Sequence, residues 1–248
     1  MTIITHYDVD LDAASSAALA LIVNEDKNPD LKFISTASSW EDIQSFVKEE
    51  DLILDIHASG KGLKGTLSAF SSYLALLETK WAIYFMDIAD IIDAVDSGII
   101  AQPSDLNDFF LNIKYAYETD EEVVRAWKKF LEGIIKRQDE LKRAHAQLDL
   151  VKWDGDIAVM PSDAERPLSR LLKQAGANFI IYNEEGAQGI IMSHRVPTDL
   201  KTRLSLALPD WFSHEKGFII AWGTKKGFKE TNSVYSSKDL VNLIKDLS

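Results

Sequence analysis

Along the first half of the chain, short β-branched runs alternate with longer stretches whose apolar residues recur at helical spacing. Thr2-Ile3-Ile4-Thr5 reads as an opening strand, and the alanine-rich stretch from Ala13 to Val23 as the helix after it. Leu31-Lys32-Phe33-Ile34-Ser35 predicts a second strand. Ser38 and Glu41 have the spacing of a capping box for a helix running to about Lys48. Asp51-Leu52-Ile53-Leu54-Asp55 predicts a third strand, apolar enough to be buried on both faces. A glycine-rich segment from Ser59 to Gly65 leads into a helix from about Leu67 to Leu77, and Ala82-Ile83-Tyr84-Phe85-Met86 reads as a fourth strand ending at Asp87. This alternation implies right-handed crossovers and an α/β fold: a parallel sheet with helices on both faces.

The middle of the chain changes character. Asp105 to Tyr117 carries apolar residues at helical spacing. Asp120 to Leu148 is charged, with Val123, Val124, Trp127, Phe130, Leu131, Ile134 and Ile135 as its apolar stripe. It reads as a helix or helix pair that connects two domains or covers the first sheet. Strand candidates then fall at Asp156–Met160, Phe179–Tyr182, Gly189–Ser193 and Phe218–Trp222. Helices are expected near Leu168–Gln174, Thr198–Leu206 and Ser237–Leu247. The expected division is a first domain over 1–148, including the connecting helix, and a smaller α/β domain over 149–248.

Composition narrows the function classes. The 248 residues contain no cysteine, which excludes disulfides, thiol catalysis and zinc–thiolate sites. No apolar stretch reaches membrane-spanning length and no signal peptide is visible, so a cytoplasmic protein is expected. The net charge of −12 argues against duplex nucleic acid as a partner, since such proteins neutralise phosphates with Lys and Arg. It leaves room for a short anionic substrate held by a local cation and a few basic side chains. A homodimer is compatible with the sequence but not specified by it.

The candidate chemistry lies at predicted strand ends. His6, Asp8 and Asp10 occur at every second position as the chain leaves the first strand, and in extended geometry such residues point to one side. An imidazole and two carboxylates meeting there suit a divalent metal. Asp55 closes the third strand, His57 lies two residues beyond, and Asp87 follows the fourth. In a parallel sheet all of these share one edge, where ligands of open α/β sheets bind. Oxygen and imidazole donors without sulfur favour Mn²⁺ or Mg²⁺, and two ions sharing a bridging carboxylate would compensate the acidic cluster. An Asp at a strand end also serves as a helix cap or turn former. Asp12 reads as one, Asp87 fits either role, and Asp90, Asp93 and Asp96 read as a solvated helix face.

Thr5-His6-Tyr7-Asp8-Val9-Asp10, followed by Leu11-Asp12-Ala13-Ala14-Ser15-Ser16-Ala17, resembles the first motif of the DHH phosphoesterase superfamily. Leu52-Ile53-Leu54-Asp55 resembles its second motif, and Met86-Asp87-Ile88-Ala89-Asp90 its fourth, with Asp87 or Asp90 as the match. Met192-Ser193-His194-Arg195 is similar to the serine/arginine strand of the associated substrate domain. Ser213-His214-Glu215-Lys216-Gly217 is similar to its glycine/histidine loop. The Asp-His-His triplet itself is missing, with Asp55-Ile56-His57 nearest, Leu11 replaces a usual glycine, and a triple glycine before the C-terminal histidine is absent. The resemblance implies His6, Asp8, Asp10, Asp55, His57 and Asp87 as metal ligands for Mn²⁺ or Mg²⁺, with two ions. It implies Arg195, His214 and Gly217 as contacts to substrate phosphate, and Lys225, a basic residue of the second domain, is a further candidate.

The expected function is therefore a metal-dependent phosphoesterase acting on a small phosphorylated substrate, such as a dinucleotide or nucleotide, through metal-activated water. The alternatives are a catalytically degenerate ligand-binding or regulatory relative, motivated by the missing His-His pair, and an inorganic pyrophosphatase.

Overall fold

A computed structural model describes residues 1–56, 67–99, 105–184, 187–222 and 235–248. The chain divides into two compact units, Met1–Lys136 and Arg137–Ser248.

The first unit is built on a three-stranded parallel sheet in the order β2-β1-β3, from β1 (Thr2–His6), β2 (Asp30–Ile34) and β3 (Leu52–Ile53). Thr2 to His6 pair with Asp30 to Ile34, and Ile3 and Ile4 with Leu52 and Ile53, so all strands end on one edge. Between β1 and β2 runs α1 (Leu11–Val23). It is buried on all sides from Leu11 to Leu21, as a helix rich in Ala and Ser must be when neighbours approach it from every direction. α3 (Ala69–Leu74) and α4 (Thr79–Asp96) pack against it. So does Trp127 of α6 (Asp120–Ala146), whose indole N–H donates to Ser15 Oγ at 2.8 Å. α5 (Asp105–Ala116) adds Phe110 edge-on to Trp127, with ring centroids 5.3 Å apart. A short α2 (Trp40–Gln44) is closed by a capping box of Ser39 and Asp42, one residue beyond the expected pair at both positions.

The expected fourth strand does not form. Ala82–Met86 lies inside α4, an 18-residue helix. Its buried positions, Phe85, Ala89 and Ile92, are spaced i, i+4, i+7, and Trp81 and Ile88 extend the same stripe. A five-residue apolar run has no period of its own, and the longer helical period around it prevails. The expected helix or helix pair over Asp120–Leu148 is one continuous 27-residue helix ending at Ala146.

The second unit carries a mixed six-stranded sheet in the order β4-β5-β6-β7-β9-β8. The strands are β4 (Lys152–Asp154), β5 (Ile157–Val159), β6 (Phe179–Glu184), β7 (Ala187–Met192), β8 (Phe212–Ser213) and β9 (Ile219–Trp222). Only β5 and β6 are parallel, joined through α7 (Leu168–Gln174). The alternating cores of β6, β7 and β9 bury Ile181, Ile190 and Ile220 against α8 (Thr198–Ala207) and α9 (Ser237–Leu247). Gly189 pairs directly with Tyr182, and any Cβ there would collide with the Tyr182 ring. The two strands not expected from sequence, β4 and β8, are edge strands of three and two residues.

No helix among the described residues is long and apolar enough to cross a membrane.

Candidate metal centre

β1 ends at His6, and the chain then turns sharply. Asp8 has φ of 59°, in the left-handed region that non-glycine residues rarely adopt, though Asp and Asn tolerate it best. The extended geometry that would aim His6, Asp8 and Asp10 to one side therefore stops before Asp8. Its carboxylate swings out to solvent, 88% exposed, and pairs with Lys114 Nζ at 2.7 Å. That cation holds the Asp8 carboxyl below its usual range. Asp10, beyond the turn, caps α1 by accepting the Ala13 amide on Oδ1 at 2.9 Å. Its Oδ2 lies 3.8 Å from His6 Nε2.

Asp55 arrives from β3 on the same sheet edge, also in the left-handed region, with φ of 43°. Its side chain is buried, and Oδ2 sits 3.2 Å from His6 Nε2. His6, Asp10 and Asp55 thus each offer a ligand atom within 4.8 Å of the others. Two buried groups form the floor, and the half-exposed Asp10 forms a rim open to solvent.

His6 is fixed from behind, its Nδ1 lying 2.7 Å from the Tyr7 carbonyl, to which it donates. That contact directs Nε2 at the two carboxylates. Burial alone would lower the imidazole pKa. The Asp55 hydrogen bond, the Tyr7 carbonyl and the charges of Asp55 and Asp10 more than offset it and raise the pKa to about 9. Without a metal, an imidazolium stands between the two carboxylates. A divalent cation held at Nε2 would supply the same compensating charge in place of the proton. Atoms ligating one ion at ~2.0–2.2 Å lie no more than about 4.4 Å apart; both His6 separations fall inside that limit, and all three donors lie within 4.8 Å of one another. Imidazole and carboxylate without sulfur suit Mn²⁺ or Mg²⁺.

Asp12 serves as a helix cap, as read from the sequence, though not of α1, which Asp10 caps. Its buried carboxylate accepts the Ala69 and Phe70 amides at 2.7 and 2.8 Å, capping α3 instead. Burial, together with the nearby Asp55 charge, pushes its pKa up to about 7 against the pull of those amides. Asp87 is on α4 rather than at a strand end; both it and Asp90 are exposed, and neither belongs to the group within 4.8 Å. His57 and the Ser59–Gly65 segment lie outside the described residues.

In the second unit, Arg195 lines a cavity of about 380 Å³ with Lys173, Ser193, His194, Lys201 and Lys216. No carboxylate is among the described lining residues. His214 stands beside it, its ring 4.1 Å from that of Phe218, which also lines the cavity. His214 Nδ1 accepts the Lys216 amide at 3.1 Å. Gly217, at φ of 62°, closes the turn by donating to the His214 carbonyl, and a Cβ there would press on Lys201 Cδ at 3.2 Å. The bare glycine lets the Lys201 stem lie across it. Lys225 and its neighbour Lys226 lie outside the described residues. Lys173 and Lys201 carry no motif, and only the fold reveals them beside Arg195.

No protein-family model matches the sequence, and no curated protein matches it. Solved structures do align with it. Two are of RecJ from Thermus thermophilus, one in complex with Mg²⁺ and one with Mn²⁺. Both are 9% identical to this chain, with TM-scores of 0.35 and 0.36. They cover 99% of this chain, which spans about half of theirs, 49% and 52%. A third, of exonuclease RecJ bound to manganese, aligns at 12% identity and a TM-score of 0.31, over 91% of this chain and 86% of that one. At such low identity and TM-score the likeness assigns no residue a role; those roles rest on the distances above.

Proposed function

We propose that this chain is a metal-dependent phosphoesterase whose cation is held by His6 Nε2, Asp10 and Asp55. The observation that carries the reading is the convergence of these three donors at the open edge of the parallel sheet, with His6 aimed by the Tyr7 carbonyl. A divalent cation bound there supplies Lewis acidity and promotes ionisation of water near neutral pH. Asp55 and His6 hold it from the buried side, and Asp10 from the rim, which leaves the solvent face for substrate. The three donors account for one ion. Arg195, Lys201, Lys173 and Lys216 bind an anionic group in the second unit and neutralise phosphate charge there. A small phosphorylated substrate fits both a cavity of that size and an acidic protein.

The test is hydrolysis of dinucleotides, bis-p-nitrophenyl phosphate and pyrophosphate in Mn²⁺, with His6→Ala and Asp10→Ala proteins as controls. Diester turnover that both substitutions abolish supports the reading. Pyrophosphate hydrolysis without diester cleavage identifies a pyrophosphatase instead. The rival is a cation-binding protein without turnover, favoured by the diversion of Asp8 to Lys114, which leaves only three donors together among the described residues. Mn²⁺ binding with no hydrolysis of any of these substrates establishes the rival.

A further inference from the structure

The geometry points to Asp120 as a positioning residue for the metal centre, its carboxylate fixing the turn that delivers Asp10 to His6 and Asp55. The inference rests on the metal-centre reading above and extends it to a residue that no motif marks.

Asp120 lies 112 residues from Asp8 in sequence, yet its two oxygens take the two successive amides of the turn. Asp8 N donates to Oδ2 at 2.9 Å and Val9 N to Oδ1 at 3.1 Å. This is the stretch where the backbone enters the left-handed region at Asp8, a conformation uncommon for a residue with a Cβ. Such a conformation persists when its surroundings impose it. Val9 is fully buried, so its amide needs an acceptor that the protein itself supplies. Lys114 adds a lesser tie, reaching the Asp8 carbonyl at 3.4 Å.

The position of Asp120 on its own helix sharpens the inference. The start of α6 is already capped by its neighbour: Thr119 Oγ1 accepts the Glu122 amide, and the Glu122 carboxylate accepts the Thr119 amide and hydroxyl. Asp120 therefore directs its two acceptors at the strand end and not at a cap. Downstream of the pinned amides, Asp10 is held a second time by its bond to the Ala13 amide. Between these two anchors its Oδ2 has little freedom except to face His6 Nε2. Loosening the first anchor lets the rim ligand drift while the buried pair of His6 and Asp55 stays in place.

Mn²⁺ binding to the 248-residue chain, followed by electron paramagnetic resonance, tests this. The proteins compared are the unaltered chain, Asp120→Ala, Asp120→Asn and Thr119→Ala, each with its thermal midpoint. Asp120→Ala is expected to raise the Mn²⁺ dissociation constant about tenfold or more, as loss of a ligand-orienting partner does. Its bound-Mn²⁺ spectrum is expected to change. Asp120→Asn keeps one acceptor and is expected to weaken binding several-fold, which preserves the test if the alanine protein fails to fold. Thr119→Ala breaks the α6 cap and is expected to lower the midpoint while leaving Mn²⁺ affinity intact. If the unaltered chain binds and the Asp120 variants bind within twofold of it, the positioning role is overturned and the metal centre stands. If Thr119→Ala weakens binding as much as Asp120→Ala, the effect is general loosening of α6 and the role is also overturned. If the unaltered chain binds no Mn²⁺, the metal centre fails and takes this inference with it.

Discussion

The charge pattern around His6 makes stability depend on pH in a defined direction. A histidine titrating near 6.5 when unfolded and about 9 when folded binds its proton more tightly in the native state. That preference is worth about 3 kcal/mol at ~1.4 kcal/mol per pH unit. The contribution is complete below pH 6.5, where both states are protonated. It declines between 6.5 and 9 and is gone above 9, where neither holds the proton. Asp12 acts in the same sense in a lower window: its raised pKa of about 7 favours the folded acid form, and that advantage is lost between roughly pH 4 and 7. Urea unfolding in chelator is therefore expected to show stability falling from pH 7.5 to 9.5, and to fall much less in a His6→Gln protein. Saturating Mn²⁺ is expected to remove the decline, because the cation takes the place of the proton between Asp55 and Asp10. A flat profile in the unaltered chain, or the same slope in His6→Gln, refutes the reasoning.

Other outcomes follow from individual side chains. Asp87→Asn, on the exposed face of α4, is expected to leave Mn²⁺ affinity unchanged and stability within about 0.5 kcal/mol in the same two measurements. Trp127→Ala is expected to cost about 3–5 kcal/mol in urea unfolding, since it empties the largest fully buried side chain and strips Ser15 Oγ of its indole donor. A loss below about 1 kcal/mol would contradict that packing. Arg195→Gln and Lys201→Gln are each expected to weaken inorganic phosphate or pyrophosphate binding several-fold by calorimetry, because both line the basic cavity. Unchanged binding would remove that cavity as the anion site.

Much of the architecture is legible in the sequence where a long period and a clear boundary coincide. α7 and α9 run over the expected residues, and α9 is opened by the Ser236–Asp239 capping box just before its apolar stripe. β1 and α1 lie close to where the β-branched run and the alanine-rich stretch place them. The α4 region misleads because Ile83, Tyr84 and Phe85 favour strands as neighbours, whereas Phe85, Ala89 and Ile92 decide for a helix only over two turns. At the site, His6, Asp10 and Asp55 are visible as chemistry at strand ends, and the fold brings those three together. The outward turn of Asp8 is not legible, because alternation holds only while the backbone stays extended, and what bends it is Asp120, more than a hundred residues away. Long-range ties of this kind leave no local pattern. The same holds for Lys201, whose place in the basic cavity depends on its packing over Gly217.

The most direct measurement is the anomalous difference map of crystals grown without chelator and soaked in Mn²⁺. A peak about 2.2 Å from His6 Nε2, Asp10 and Asp55 is expected. Density at those side chains with no anomalous peak among them at millimolar Mn²⁺, or a peak only at other groups, would contradict the metal centre.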